Sequence, residues 1–318
     1  MTARKKISIM TPCYNEEGNV RALYERVKAV ITRSGKYDYE HIFIDNASKD
    51  GTVKILKGIA AADPNVKIIV NTRNFGHIRS PYHALLQASG EAVIAIVADF
   101  QDPPEMISQL LEKWEDGYKI VVGIKKTSKE SRLMFGIRRS YYNLISRLSE
   151  VEQIKNFTGF GLYDRKVIEI LRGIEDPYPY FRGLIAEIGY DICKIEYDQP
   201  ERKSGITKNN FYTLYDIAML GITNHSKVPL RLATMLGFLV ASLSFGLALG
   251  YLAYKLLFWN SFSVGVAPLV IGLFFFGAVQ LFFIGIIGEY VASIHTQVLK
   301  RPLVIEKERI NFGGETCK

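Results

Sequence analysis

The amino-acid sequence predicts an α/β fold: a mostly parallel sheet with helices on both faces, followed by two transmembrane α-helices. Three observations lead there. Short apolar runs alternate with helical patterns through the first 225 of the 318 residues, which is the signature of βαβ units. Polar clusters fall at the ends of those runs, where ligands bind in open parallel sheets. The long uncharged sequence is gathered near the C-terminus.

Ile7–Thr11 is predicted as the first strand, and the amphipathic stretch Asn19–Thr32 as the helix after it. The strand His41–Ile44 precedes a helix over Gly51–Ala61, and the strand Val66–Val70 precedes a helix over Tyr82–Ala88. Val93–Ala98 is an apolar strand that ends at Asp99. Met106–Trp114 reads as a helix and Ile120–Gly123 as a further strand. The polar clusters are Thr11–Glu17, Asp45–Thr52, Asn71–His77 and Asp99–Glu105. No GxGxxG or GxxxxGK[ST] loop is present, so dinucleotide and P-loop sites lose their main support.

Between Val228 and Ile294 the only charged residues are Arg231, Lys255 and Glu289. Leu232–Tyr254 is uncharged for 23 residues, and Leu256–Gly288 is a second uncharged stretch. A helix needs about 20 apolar residues to cross a bilayer core, and buried core helices rarely run so long without a charge. Lys227 and Arg231 precede the first span. Lys300, Arg301, Lys307 and Arg309 follow the second, while the connection around Leu257–Ser263 is uncharged. By the positive-inside rule both termini are cytoplasmic, and the chain is a multi-pass protein of the cell inner (plasma) membrane. The N-terminus, MTARKKISIM, is charged and leads straight into a strand-like run, unlike a signal peptide. The expected organisation is a cytoplasmic domain with interfacial helices over residues 1–225, a two-helix transmembrane domain over 226–298 and a cytoplasmic tail over 299–318.

Lys and Arg number 40 against 32 Asp and Glu, a formal charge of +8. That excess is modest, and with no nucleic-acid-binding motif it argues against a nucleic-acid partner. A hydrophobic content of 48% with 23% charged residues excludes a disordered or low-complexity chain. Three scattered cysteines, Cys13, Cys193 and Cys317, make neither a disulfide framework nor a zinc site.

The segment ADFQDPPE gathers Asp99, Gln101 and Asp102 at a strand end. Carboxylate and amide oxygens there suit a hard cation such as Mg²⁺ or Mn²⁺, which takes its remaining ligands from water and substrate phosphates. A helix cap after the strand is the plainer role, and it fits Asp102 better than Asp99. In IDNASKDGT, Asp45 can accept from ribose hydroxyls or a base N–H, whereas Asp50 before Gly51 reads as a turn and cap. Ser131–Val151 interleaves Arg132, Arg138, Arg139 and Arg147 with apolar residues and reads as an interfacial helix. ERKSGITK sets Arg202, Lys203 and Lys208 around Gly205, a cluster suited to a departing diphosphate. A solvated basic face is the alternative for both. His77 reads as a loop contact and His83 as structural.

Taken together, ISIMTPCYNEEGNV, IDNASKDGT, NTRNFGH, ADFQDPPE, FGLYDRK and ERKSGITK, followed by two membrane helices, match one pattern. The chain resembles the family 2 glycosyltransferases of GT-A fold, whose sheet is Rossmann-like and mostly parallel. More closely it is similar to the polyisoprenyl-phosphate glycosyltransferases, the group that includes dolichol-phosphate mannose synthases and bactoprenol glucosyltransferases. The resemblance implies that Pro12, Tyr14, Glu16 and Asp45 hold the donor nucleotide. It implies that Asp99 and Gln101 are the metal and diphosphate ligands, Mg²⁺ or Mn²⁺ being the cofactor. Arg202 and Lys208 match the basic loop that closes over both phosphates, and Arg138, Arg139 and Ser140 match the acceptor-phosphate region. A homo-oligomer is also implied. Three positions depart from the pattern: Val97 stands where the family often has Asp, Asn46 replaces the second Asp of Asp-Asp-Gly-Ser, and Thr158–Leu162 lacks the Asp and Arg of Gly-Asp-Phe-Arg-Leu.

The reaction so implied is inverting transfer of a hexose, glucose in the first instance, from a UDP-sugar donor to undecaprenyl (polyprenyl) phosphate at the cytoplasmic membrane face. The product would supply cell-surface glycan modification. The alternative keeps the chemistry and changes the sugar, to mannose from GDP-mannose or a modified aminoarabinose. A processive polysaccharide synthase lacks its QxxRW-like motif here. A non-catalytic sensor of sugar nucleotides is argued against by the retention of Asp99, Gln101 and the basic loop.

Overall fold

The computed structural model describes residues 4–126, 154–200, 219, 228–258 and 266–313. Among them, eight strands form one sheet. They are β1 (Lys5–Cys13), β2 (Tyr37–Asp45), β3 (Val66–Asn71), β4 (Ala92–Ala95), β5 (Ile120–Lys125), β6 (Phe157–Asp164), β7 (Ile192–Tyr197) and β8 (Glu306–Ile310). Their order is β7-β5-β6-β4-β1-β2-β3-β8. The β4-β1-β2-β3 centre is parallel throughout; β6 runs antiparallel between β4 and β5, and β8 runs antiparallel along β3.

Alternation along the strands divides the core between two faces. Ile7 and Ile9 of β1 point to one side, where α1 (Val20–Ser34), α2 (Thr52–Ala62) and α4 (Ile107–Glu115) cover them. Met10 points to the other, under α3 (Gly76–Leu86), α5 (Arg165–Gly173) and α6 (Phe181–Glu187). Val20, Leu23, Val27 and Ile31 recur at helical spacing on α1 and are fully buried; each contributes about 1.5–3 kcal/mol by leaving water. Gly35 stops α1 by taking a left-handed φ of 61°, with its N–H bonded to the Thr32 carbonyl.

Where the sequence assigns an element its type agrees, while most boundaries move by a few residues: β2, for one, starts at Tyr37 and not His41. β4 ends at Ala95, before the expected Ala98, although the Ile96 N–H still reaches the Met10 carbonyl at 3.0 Å. α3 begins at Gly76, six residues ahead of the expected Tyr82. Pro81 obscured that turn: it removes one helical hydrogen bond, but burial of Ser80, Tyr82, Ala84 and Leu85 holds the helix on the sheet. The segment expected as a tail contributes β8. Its sequence, Glu-Lys-Glu-Arg-Ile, carries no strand signal because an edge strand is served by charges that deter further pairing. Those charges grip the domain through Glu306 to His83 at 2.6 Å and Glu308 to Lys57 at 2.6 Å. The structural role read for His83 is this contact.

Two further helices, α7 (Val228–Leu257) and α8 (Val266–Val298), are long and apolar enough to cross a membrane. Their best spans bury none of their length, and side chains such as Phe238 and Phe274 stand about three-quarters exposed, at 75% and 73%. So much exposed apolar surface has no place in water.

Beneath the sheet's centre, Glu40 is 1% exposed. Its carboxylate accepts from Ser8 Oγ, Ser89 N–H and Lys67 Nζ, the last at 2.6 Å. Burial alone would raise its pKa, but the Lys67, Ser8 and Ser89 hydrogen bonds outweigh burial and bring it to about 2. A depressed carboxylate stabilises above its unfolded pKa, and that stability is lost as pH falls through the folded value. Thermal midpoints of the full chain in detergent should therefore drop between about pH 4.5 and pH 2. Glu40→Gln should flatten this part of the profile and remove on the order of 3 kcal/mol at neutral pH. An unchanged acid profile in the variant would remove Glu40 from the account.

Candidate active site

β1 sits between β4 and β2, so the loops leaving its carboxyl end and theirs diverge and open a crevice. The chain keeps Pro12 in this central strand at no cost in pairing, because β4 has already ended at Ala95, opposite Met10. Beyond Cys13 the loop is laced to the one after β2. Asn15 N–H donates to Ser48 Oγ at 2.8 Å, and Lys49 N–H returns to Asn15 Oδ1 at 2.9 Å. Glu16 N–H donates to Thr52 Oγ1, Glu17 N–H to Asp50, and Gly51 N–H to Glu17. Asp50 also accepts from the Thr52 N–H and hydroxyl, the turn and cap role expected of it. Glu16 meets the Asn19 side-chain amide at 2.6 Å, at the entry to α1, and Tyr14 lies half-buried before it.

Asp45 ends β2 and is fully buried. One carboxylate oxygen accepts from Ser48 N–H at 2.9 Å; the other, Oδ1, has no hydrogen-bond partner. Burial raises its pKa above the ordinary aspartate value. An orphaned carboxylate oxygen at a strand end is costly unless a ligand supplies a donor. Next to it, Asn46 is a hub that nothing in the sequence singles out beyond its departure from Asp. Its Nδ2 donates to Asn74 Oδ1 at 2.9 Å and the Gly76 carbonyl at 3.1 Å. Its Oδ1 accepts from Asn71 Nδ2 at 3.1 Å and Phe75 N–H at 2.8 Å. A carboxylate can replace the two accepted bonds but neither donated one.

The third side is the loop after β4. Phe100 is buried with φ at +61°, unusual for so large a residue, and it stands between Asp99 and Gln101. Asn15 and Ala47, at φ 57° and 61°, place the same strain in the two neighbouring loops. Asp99 is nearly buried and accepts from Gln101 N–H at 3.1 Å. Asp102 does not cap the following helix, contrary to expectation. Its carboxylate turns inward, accepting from Tyr197 Oη at 2.9 Å and from Val97 N–H at 3.3 Å. The double proline presets the helical turn without a side-chain cap, which leaves Asp102 free to brace the loop against β7. Burial raises its pKa to about 6, with the Asp99 charge adding to the rise. Among the described residues, no group of three or more His, Cys, Asp or Glu side chains is arranged to hold a metal ion.

The structure thus brings Pro12, Tyr14, Glu16, Asp45, Asp99 and Gln101 to the same end of the sheet. Arg138, Arg139, Ser140, Arg202 and Lys208 lie outside the described residues. Of the departures, the one at Gly161 has a steric cause. A Cβ there would stand 2.5 Å from the Val121 carbonyl, so β6 approaches β5 too closely for an arginine.

Asn46→Asp should lower the thermal midpoint of the full chain by a few degrees, since two part-buried hydrogen bonds, to Asn74 Oδ1 and the Gly76 carbonyl, lose their donor at about 0.5–1.5 kcal/mol each. A midpoint equal to wild type would mean that these loops are held by other contacts.

Residues 8–171 match the glycosyl transferase family 2 domain. The chain is 34% identical to the uncharacterized glycosyltransferase YkcC of Bacillus subtilis, over 99% of this chain and 97% of the relative. It is 35% identical to the SfII prophage-derived bactoprenol glucosyl transferase of Shigella flexneri, over 95% and 98%. Among solved structures, a mycobacterial protein superposes with a TM-score of 0.50 at 16% identity, covering 69% of this chain and 73% of that one, a likeness of fold alone. The chain belongs to glycosyl transferase family 2 and is a glycosyltransferase of GT-A fold.

Proposed function

We propose that this enzyme transfers glucose from UDP-glucose to undecaprenyl phosphate, or a related polyprenyl phosphate, at the cytoplasmic face of the inner membrane, with inversion at the anomeric carbon. The observation that carries this reading is the union, in one chain, of a family 2 site with two apolar helices that bury none of their best spans. A soluble acceptor would give such helices no purpose. Several relatives are named bactoprenol glucosyl transferase, at 33–35% identity over nearly the whole chain. Those names support a lipid-phosphate acceptor, and glucose over mannose or aminoarabinose.

In this reading Asp45 uses its unpartnered oxygen to accept from the ribose or base of the donor, beside Pro12, Tyr14 and Glu16. Asp99 and Gln101 supply one carboxylate and one amide oxygen, a donor set that fits a hard cation completing its shell with water and the donor diphosphate. Bound Mg²⁺ or Mn²⁺ would neutralise charge on that diphosphate. The acceptor phosphate, with a second pKa of about 6, is already largely ionised at neutral pH and needs no strong general base. Arg138, Arg139 and Ser140 would orient it, and Arg202 and Lys208 would stabilise the departing diphosphate. Attack from the face opposite the leaving group gives a β-linked product from an α-linked donor.

The test is incorporation of labelled sugar into organic-extractable lipid by the purified full chain with undecaprenyl phosphate. Label should enter from UDP-glucose, and a chelator should abolish it; label from GDP-mannose alone would replace the sugar assignment. Asp99→Asn should lower turnover by about 10²-fold or more while leaving the melting curve intact. Near-wild-type turnover would exclude Asp99 from the chemistry. Asp45→Asn should instead raise KM for the UDP-sugar about tenfold with a smaller effect on kcat.

A further inference from the structure

Where α8 ends, the domain carries a cluster of arginines that the proposed transfer does not use. Phe75, buried just before α3, has the Arg73 guanidinium 4.1 Å and the Arg79 guanidinium 5.4 Å from its ring centre. Arg79 also donates a hydrogen bond to the Pro302 carbonyl, so it touches the chain beside Arg301. α8 closes at Val298, and Lys300 and Arg301 are the first cations after its apolar run. Lys300 faces Glu175 at 3.7 Å, an exposed pair worth little. Arg73 donates to the Asn74 carbonyl. Among the described residues, no carboxylate is within ion-pair distance of Arg73, Arg79 or Arg301.

Arg79 is the most confined of the three. Its Nε–H is buried without a hydrogen-bond partner. Burial, with repulsion from Arg73 and Arg301, holds the guanidinium below its usual range. A half-buried guanidinium beside two exposed ones favours an approaching anion, and guanidinium groups suit phosphate oxygens in geometry as well as charge.

We propose that Arg79 and Arg301, with Arg73 beside them, bind the phosphate of an anionic membrane phospholipid. The inference rests on α8 spanning the membrane. It commits to a lipid because Arg301 lies three residues past the end of the apolar helix, at the level where headgroup phosphates begin. Bound there, the headgroup joins α3, the strap leading to β8 and the leaflet into one surface.

The experiment uses the full chain in nanodiscs of neutral phosphatidylcholine, with or without phosphatidylglycerol. Phosphatidylglycerol should raise the thermal midpoint of wild type by several degrees and remain bound through detergent exchange. In the double variant R79Q/R301Q both effects should fall by about tenfold. R301Q alone, at an exposed position, guards against loss of fold and should show an intermediate retention. Equal retention by wild type and both variants would overturn the proposal. So would full stabilisation by inorganic phosphate in neutral discs, which would indicate a soluble anion, or retention of undecaprenyl phosphate in preference to phosphatidylglycerol. Recovery of the chain in the soluble fraction without detergent would sink the spanning premise itself. Lipid retention is read without turnover, so failure here and failure of the transfer reading remain separate.

Discussion

The parallel centre of the sheet delivers four chain ends to one edge, and each arrives with backbone groups that no strand can pair. How those groups are satisfied governs the site. The loops after β1 and β2 answer each other through Asn15, Ser48, Glu17, Asp50 and Thr52, while Asn46 joins the loops after β2 and β3. Because each bond lies between segments distant in sequence, the loops are held as a unit and not by local turn preference. Within this frame the three left-handed residues Asn15, Ala47 and Phe100 are tolerable, since surrounding contacts over-determine them. At this edge Asp45 Oδ1 and Asn71 Oδ1 are buried oxygens that the loops leave without a hydrogen-bond partner.

The same frame explains how the chain departs from its family at several positions and keeps the architecture. Asn46 supplies two donated hydrogen bonds that an aspartate cannot. Gly161 admits no side chain because β5 crosses too near. Asp102 spends its carboxylate on Tyr197 and on the backbone of Val97, the position where the family often has an acid.

The second apolar helix is joined to the domain by contacts as well as by chain connectivity. After α8 the chain returns to the sheet as β8 and pairs with β3, the strand whose following loop Asn46 organises. Gln297, at the end of α8, donates to Asp176 at 2.8 Å, and Asn311 beyond β8 donates to the Ala60 and Val66 carbonyls. A helix exit tied at both ends of its strap fixes the orientation of the strand-end site relative to the apolar helices.

The alternation of strands and helices, the two apolar helices and the polar clusters at strand ends were legible in the sequence, because each depends on local periodicity and composition. Asp45 and Asp99 stood out for the same reason: polar residues directly after apolar strands. Strands β6 and β7 and helices α5 and α6 escaped notice, as glycines dilute the pattern of β6, and β8 was hidden by its charges. Only the tertiary structure decided the roles of Asn46, Asp102, Glu40 and Arg79. Each is a polar side chain whose meaning lies in its neighbours, and those neighbours come from other strands and loops, as Tyr197 does for Asp102 and Pro302 for Arg79. Sequence determines which groups must be buried or solvated; the packing of distant segments determines which buried polar group finds a partner and which is left for a ligand.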